Sequence, residues 1–463
     1  MSAPHPRWRR LVLTAAVLAA STVAAVLPAA TGHAATSGFH GVNWADPRDN
    51  FTDDAVVPSG LSTADSYATT KAKAGRILDG FRTDLGANTV RLPVNAASVG
   101  TAWWNSYTGA IDAATERGMN VILSYWEGDS SRDGKVDNAT AFWSMWQTAV
   151  GKYAGNARVY FEPMNEPHGY SFTDWSAICA TWLANYASVP RGRVILSGTG
   201  YNQDVKQLGA DGRFTGTLLS VHLYKFFSSN TTYAQFKAQL ANEVGAYASR
   251  TILDEWGAPM TDGTNYHAAG STNPFVTYLQ ASSDFARENA MGTVYWPGLR
   301  NGDPYSMETL VGTYPNTTLL NTNSSGRHLL LASWGVSAAR TGTVKGLAGK
   351  CLDTVANGTA SPKVVIATCT GGASQSWTLD GGALKSGGRC ADATGGATAD
   401  GTRIITYACS GAANQQWILV GNQLRNGKSG TCLDVPASNS ADGTQVTIYS
   451  CNNGANQRWT LGG

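Results

Sequence analysis

Two glutamates stand where an apolar run gives out. Glu166 comes near the end of "VYFEPMNEP", and Glu255 closes "TILDE", 89 residues further along. Burying a carboxylate is expensive unless another group compensates, so acids at these places need a chemical reason. Two carboxyls that face each other can divide a reaction between them. One gives a proton to a departing oxygen and the other attacks or activates water, which is the apparatus of glycoside hydrolysis. Other polar residues interrupt or end apolar runs in the same way: Arg91 in "NTVRLPV", Asn165 beside Glu166, His222 and Tyr224 in "VHLY", and Trp296 in "VYWPG". His222 and Tyr224 are two apart, so on a strand both point to one face. A lone glutamate at such a place is more often solvated or salt-bridged than catalytic. The set as a whole carries the signal.

The elements that must position this set are short apolar runs alternating with helical patterns. The candidate strands are Phe39–Trp44, Thr89–Val94, Asn120–Trp126, Arg158–Met164, Arg193–Ser197, Leu218–Tyr224, Thr251–Glu255 and Thr293–Trp296. Between them lie helical stretches such as "AGRILDGFRTDLG", with Ile77, Leu78, Phe81 and Leu85 on one face. Strands alternating with helices predict a parallel sheet, and this number of strands closes a (β/α)8 barrel. An open doubly wound sheet is the alternative, but no glycine-rich phosphate loop follows the first strand. In a barrel the site lies at the C-terminal ends of the strands, where the polar residues above fall.

Composition narrows the class. The 463 residues hold 15 Trp and 18 Tyr, with 14% charged residues and a net charge of +2. No basic field points to nucleic acid. Flat rings with a polar edge suit sugar faces, although most will be core. Arg7, Arg9 and Arg10 precede the apolar run Leu11 to Leu27, and Gly32-His33-Ala34 fits a small-x-small cleavage site. Residues 1–34 are therefore expected to be a secretory signal peptide. The run is slightly short and Ala-rich for the competing reading, a membrane anchor. The mature chain is expected outside the cell, with no membrane contact after cleavage.

Cysteine usage agrees. Cys179 stands alone in "WSAICATWLANY", on a helical face with Trp175, Ile178, Trp182, Leu183 and Tyr186, and is expected to be an inert buried thiol. The other six fall as Cys351/Cys369, Cys390/Cys409 and Cys432/Cys451, separated by 18, 19 and 19 residues. Near-equal intervals are an internal repeat. In an oxidising compartment each pair is expected to be a disulfide, worth about 3 kcal/mol per closed loop. The chain divides accordingly: a barrel over 35–338, a short linker over 339–343, and a repeat domain over 344–463.

The ordered motifs "NTVRLPV", "MNEP", "VHLY", "LDEWG" and "VYWPG" resemble glycoside hydrolase family 5, the cellulase-like family of clan A. The resemblance implies that Glu166 is the general acid/base and Glu255 the nucleophile. It implies that Asn165 bonds the hydroxyl next to the reacting carbon and that Arg91 and Tyr224 aim Glu255. His222 would belong to the network around Glu166, and Trp296 would floor the cleavage subsite. The chemistry agrees with these roles. Glu255 must be anionic, which a nearby arginine favours. Glu166 must begin protonated, which desolvation and a charged neighbour favour. One departure stands out. Family members often carry a histidine after the third strand, in a "VILDLH"-like run, whereas this chain has Trp126 in "VILSYWEGD". Tyr125, Trp126 and Glu127 are expected to reshape the cleavage subsite. Some members that this chain resembles act on furanosyl residues (arabinofuranose or galactofuranose), so the resemblance implies these beside pyranosyl glucan and mannan. Asp129, Asp133 and Asp137 in "GDSSRDGKVD" depart from the calcium-loop spacing and read as a solvated loop.

Each repeat opens with Cys-x-Asp and ends with Gln-x-Trp (Gln375-Ser376-Trp377, Gln415-Gln416-Trp417, Gln457-Arg458-Trp459). This pattern resembles the ricin-type β-trefoil, carbohydrate-binding family 13. The resemblance implies sugar pockets at Asp392, Tyr407, Asn414 and Gln415, and at Asp434, Tyr449, Asn456 and Gln457. The first repeat has Asp353 and Gln375 but Ala367 in place of the ring and Ser374 in place of the Asn, so its pocket is expected to be weak or dead. Together these readings predict a secreted, monomeric, retaining glycoside hydrolase acting on plant or microbial cell-wall polysaccharide or oligosaccharide, with no cofactor or metal. The competing class is a lectin with an inactive barrel.

Overall fold

Short runs rich in Val, Ile and Leu, each bounded by polar or glycine-containing turns, become the strands of the first domain. The computed structural model describes Met1 and residues 36–462, apart from 267, 269, 270, 336–339, 357, 359, 381 and 421. The expected signal peptide, residues 1–34, lies outside the described residues but for Met1. The strands are β1 (His40–Trp44), β2 (Thr89–Val94), β3 (Asn120–Tyr125), β4 (Val159–Glu162), β5 (Ile195–Ser197), β6 (Leu218–His222), β7 (Thr251–Glu255) and β8 (Gly292–Leu299). They pair in parallel in the order β4-β3-β2-β1-β8-β7-β6-β5, and a parallel bridge between Phe161 and Val194 joins the two ends. The domain is thus a (β/α)8 barrel, as expected. β4 departs from its predicted bounds: it ends at Glu162, and Asn165 and Glu166 lie in the turn beyond it. Pro163 has no N–H for the ladder, so the strand gives out before it.

The helices between strands begin at side-chain caps, as at Ser66, Asn138, Ser171, Asn273 and Asn323, and Thr232 forms a capping box with Gln235. Each cap satisfies an otherwise orphaned backbone N–H. The apolar helix faces bury against the outside of the ring; Ile77, Leu78, Phe81 and Leu85 are all within 2% of full burial. Cys179 is a free, buried cysteine between Trp175 and Trp182 in the same core.

The inside of the ring is layered. Phe39, Ile122, Ile195, Leu218, Ile252 and Val294 form one apolar layer with Tyr160 packed against it. Successive side chains alternate across a strand, so the next inward positions are two residues on. There the apolar layer gives way to Ser124, Glu162, Ser197, Ser220, Asp254 and Trp296. This change of character marks the floor of the mouth.

The C-terminal domain is all-β and carries its own core, built round Trp377, Trp417 and Trp459. Each indole N–H donates to a backbone carbonyl one repeat-equivalent apart, Leu352, Ala391 and Leu433, each at 2.9 Å. The disulfides join Cys351 to Cys369, Cys390 to Cys409 and Cys432 to Cys451. The stretch read as a linker is not free chain. Arg340–Gly342 forms a strand antiparallel to Trp377–Asp380, with the Thr341 and Thr378 hydroxyls 2.8 Å apart. Its unpaired backbone groups find partners on that sheet edge, which a sequence-based boundary does not register.

Candidate active site

Arg91, in the middle of β2, organises the barrel mouth. It is 1% exposed. Its Nε and Nη2 donate to the two oxygens of Glu162 at 2.6 and 2.8 Å. Nη1 donates to Glu255 Oε1 at 2.5 Å and to Asn43 Oδ1 at 3.0 Å. Nη2 also reaches Asn165 Oδ1 at 2.7 Å and Ser124 Oγ at 3.1 Å. Burial disfavours its charge, but Glu162 and Glu255 more than reverse this, and its pKa stands well above the ordinary guanidinium value.

Sequence reasoning passes over two members of this network, Glu162 and Asp254. Both are fully buried. Glu162 accepts from Ser197 as well as from Arg91, and Asp254 accepts from Ser220 Oγ at 2.6 Å. Burial raises the Glu162 pKa, Arg91 opposes, and Asp254 adds to the rise. A signal was there to read: each lies two residues past an inward apolar side chain, Tyr160 and Ile252, on the same strand face.

The two expected catalytic glutamates come together. Glu255 ends β7, where the register against β6 shifts between Val221 and His222. Neighbouring residues on a regular strand face opposite ways, but a bulge re-aims one of them. Asp254 and Glu255 consequently both join the polar network. Tyr224 Oη donates to Glu255 Oε2 at 3.2 Å. His222 Nδ1 lies 2.8 Å from Glu166 Oε1 and 3.6 Å from Glu255 Oε2, bridging the pair. A carboxyl oxygen from each glutamate and the imidazole nitrogen all lie within 4.8 Å of one another. Glu166 is held by a left-handed backbone, φ 45°. This conformation is unusual outside glycine and accumulates at functional sites. The Asn165 amide nitrogen is buried beside it with no hydrogen-bond partner, which leaves a donor for a ligand.

Electrostatics set the protonation states. Burial works against a charge on His222, but Glu255 and the contacts to Asp254 and Glu166 raise its pKa to about 10. Burial pushes Glu255 up to about 7, although His222 and Arg91 pull it down. Arg91 thus opposes the rise that burial imposes on Glu255. Glu166, His222 and Glu255, and likewise Glu162, His222 and Asp254, have the spacing of a metal-ligand triad. Arg91 already donates to Glu162 and to Glu255, one acid of each set.

Aromatic rings cap the mouth. Trp126 stacks on Trp296 with centroids 5.4 Å apart and planes 21° apart, and Phe51 meets Trp126 edge-on. Trp126 thus packs on Trp296, whereas Tyr125 and Glu127 turn away into the loop that follows. Both Glu127 oxygens accept the Gly134 N–H at 3.0 Å, and Tyr125 donates to Asp137. In that loop Asp137 also accepts from Gly128 and Ser131, Asp133 accepts from Lys135, and Asp129 pairs with Arg132. Internal donors thus occupy its carboxylates. On the β8 and β1 side a cleft of about 340 Å³ runs past Tyr224 and Trp296 to Asp49, Arg300 and Asp303. Arg300 pairs there with Asp49 at 2.8 Å and with Asp303 at 2.6 Å. Sequence reasoning missed this trio because its members lie in loops.

In the β-trefoil, Tyr407 and Tyr449 are 51% and 46% exposed, so both rings are open to a ligand. Gln415 and Gln457 are not open. Each is buried and donates to its Asp, Asp392 or Asp434, while its Oε1 accepts a backbone N–H. These glutamines position the aspartates and do not face a sugar. Asn456 donates to Asp434 at 2.6 Å, and Asn414 donates to the Ala393 carbonyl. In the first repeat Gln375 holds Asp353 in the same way.

Comparison with known proteins follows the same division. The family model described as cellulase (glycosyl hydrolase family 5) matches residues 53–300, and that of the ricin-type beta-trefoil lectin domain matches residues 340–459. Endoglucanase EG-II of Hypocrea jecorina is 28% identical over 125 residues, which is 24% of this chain and 29% of that protein. The chain thus spans under a third of that relative's length. Among solved structures, the catalytic domain of the major endoglucanase from Xanthomonas campestris pv. campestris is similar at 18% identity and a TM-score of 0.47, covering 64% of this chain and 94% of that one. The agglutinin from Abrus precatorius is similar at 26% identity and a TM-score of 0.25, covering 27% of this chain and 49% of that one.

Proposed function

The chain belongs to glycosyl hydrolase family 5 and carries a ricin-type β-trefoil lectin domain, and from that premise we propose that it cleaves cell-wall polysaccharide with retention of anomeric configuration. The carrying observation is the separation of the two carboxyls. One oxygen of each lies within 4.8 Å of one oxygen of the other. Retaining enzymes hold the pair about 5–5.5 Å apart, while inverting enzymes need about 6.5–9.5 Å to admit a water. Glu255 attacks the anomeric carbon as the bond to the leaving oxygen breaks, and Glu166 gives that oxygen its proton. Glu166 then takes a proton from the water that cleaves the glycosyl ester. Arg91 and Tyr224 hold Glu255 in line, and the unpartnered Asn165 amide meets the adjacent sugar hydroxyl. Trp296 floors the subsite. Proton NMR of the first-formed sugar tests this reading: the retained anomer is expected, and an inverted product would refute Glu255 as nucleophile.

One observation favours a second reading, an exo-acting arabinofuranosidase or galactofuranosidase. Trp126 lies directly over Trp296, which narrows the mouth beside the reacting pair and suits a compact terminal residue. A panel of aryl furanosides and aryl pyranosides decides between the two. The lectin domain tethers the enzyme to its polymer through the Tyr407 and Tyr449 pockets. The three disulfides suit an oxidising, extracellular setting. No helix among the described residues is long and apolar enough to cross a membrane.

A further inference from the structure

The barrel and the trefoil meet where glycines let them. A side chain begun at Gly411 would come within 2.6 Å of Asn265 Nδ2, and one begun at Gly427 within 3.1 Å of Ser324 Oγ. Beside this contact lies a cleft of about 190 Å³ with walls from both domains, a common place for a ligand. The barrel supplies Leu320 and Asn321, at the end of the strand Thr318–Asn321, and Arg327 from the helix that follows. The trefoil supplies Arg425 and Lys428. Leu320 is 47% exposed and gives the cleft an apolar wall. Two polar atoms of the lining residues are buried with no hydrogen-bond partner, Arg425 Nε and Asn321 Oδ1. Buried polar groups are seldom left unpaired, because the loss of water is then uncompensated. One of the two is a donor and the other an acceptor.

Charge decides which ligand suits the cleft. Arg327 Nε donates to the Asp84 carbonyl at 2.5 Å, and the Asp84 and Glu308 carboxyls act on the same guanidinium. Arg425 opposes the rise that burial imposes on Asp84, and burial pushes Glu308 well above the ordinary carboxyl range, toward its neutral form. Three cations therefore outnumber the carboxylates. Among the described residues no carboxylate hydrogen-bonds to Arg425 or Lys428. Arg425 Nη2 donates to Gln423 Oε1 at 3.1 Å, and Lys428 Nζ donates to the Gly396 carbonyl at 2.6 Å. Guanidinium and ammonium groups with donors to spare match a carboxylate. Lys428 also joins the cleft to a sugar pocket. A side chain begun at Gly396 would meet Lys428 Nζ at 3.2 Å and Asn414 Cγ at 3.9 Å, and Asn414 belongs to the second-repeat pocket. The same place in the other repeats, four residues before the opening cysteine, holds Leu347 and Ser386. The cation is therefore a feature of one repeat boundary and not of the repeat pattern.

We propose that this cleft and the second-repeat pocket together bind an acidic saccharide, with one ring at Tyr407 and the carboxylate of an adjoining uronic acid residue held by Lys428 and Arg425. Asn321 Oδ1 accepts a hydroxyl of that residue, and Leu320 covers its apolar face. The inference rests on the reading of the second-repeat pocket as a sugar site. It adds the class of polymer to which the enzyme is tethered, one that bears uronic acids.

The test uses the full chain and isothermal titration with trimers of galacturonic acid and of glucuronic acid, each beside its carboxyl-reduced counterpart. The parent is expected to bind at least one acidic trimer about tenfold more tightly than its reduced counterpart, the ratio that charge-assisted hydrogen bonds support. Lys428→Leu, which copies the residue at 347, and Arg425→Gln should each bring that ratio to near one while near-ultraviolet circular dichroism stays native. Tyr407→Ala should weaken both members of the pair alike. Equal affinity for the pair in the parent, or a preference that survives both substitutions, would overturn the proposal. Inorganic tripolyphosphate bound as tightly as the acidic trimer would show an unselective anion patch and would overturn it too. A reduced trimer lost on Tyr407→Ala, with no preference for the acid in the parent, would leave the pocket standing and remove only the acidic site. An acidic trimer bound as tightly after Tyr407→Ala would instead remove the pocket and leave the cleft alone as the site.

Discussion

Glu255→Gln should stabilise the protein, and only on the alkaline side. Glu255 is 3% exposed, and burial pushes its pKa up to about 7. In the unfolded chain a glutamate titrates near ~4.3. Between those values the folded state binds more protons than the unfolded one, so stability falls as pH rises. The contribution is intact below about pH 4 and lost above about pH 7. At roughly 1.4 kcal/mol per pKa unit, the loss at pH 8 amounts to about 4 kcal/mol. Glutamine resembles the protonated acid and removes this term. For a domain of roughly 300 residues, that energy corresponds to about 6 °C in Tm. Calorimetric unfolding of parent and variant at pH 4.5 and pH 8 checks it. The variant should gain several degrees over the parent at pH 8 and much less at pH 4.5. A gain independent of pH, or none at pH 8, would show that Arg91, His222 and Tyr224 hold the carboxylate better than its burial implies. The reaction needs the ionised form, so the acid limb of kcat/KM should also fall near neutral pH.

Glu166→Ala should keep the first chemical step on substrates whose leaving group needs no proton. Azide should then restore turnover and give a glycosyl azide of retained configuration; the same rescue at Glu255→Ala instead would reverse the two roles. Trp126→His removes the plate that stacks on Trp296 and should lower kcat/KM on the best substrate while near-ultraviolet circular dichroism stays native. Unchanged kinetics would remove Trp126 from the subsite. Tyr407→Ala and Tyr449→Ala should each weaken retention on insoluble polysaccharide, and the double variant should lose it, since two weak sites on one module act through effective concentration. Asp353→Ala should change nothing, and a double tyrosine variant that binds like the parent would refute the pocket assignment.

Much of the site was legible because its residues break a pattern. Arg91, His222 and Glu255 interrupt runs whose apolar neighbours must face a core, and a polar group in such a place has to be explained. Glu162 and Asp254 break the pattern as well, but each sits beside a more conspicuous acid or amide motif that masks it. Asp49, Arg300 and Asp303 break no pattern, because charged residues in loops are ordinary. Only the closing of the ring brings the loop after β1 against the loop after β8.

Sequence alone determined the alternation of strands and helices and the three cysteine-bounded repeats, because hydrophobic period, cysteine spacing and repeated Gln-x-Trp signals are local and survive without coordinates. Tertiary structure decided the rest. It showed that β4 stops at Glu162, that residues 340–342 pair as a strand, and that Gln415 and Gln457 are buried supports. It brought Glu255 into burial beside both Arg91 and His222. It also drew Leu320 and Arg327 of one domain and Arg425 and Lys428 of the other to one cleft. Each of these depends on which groups lose water and which distant groups replace it, and neither quantity is a property of a residue's neighbours in the chain.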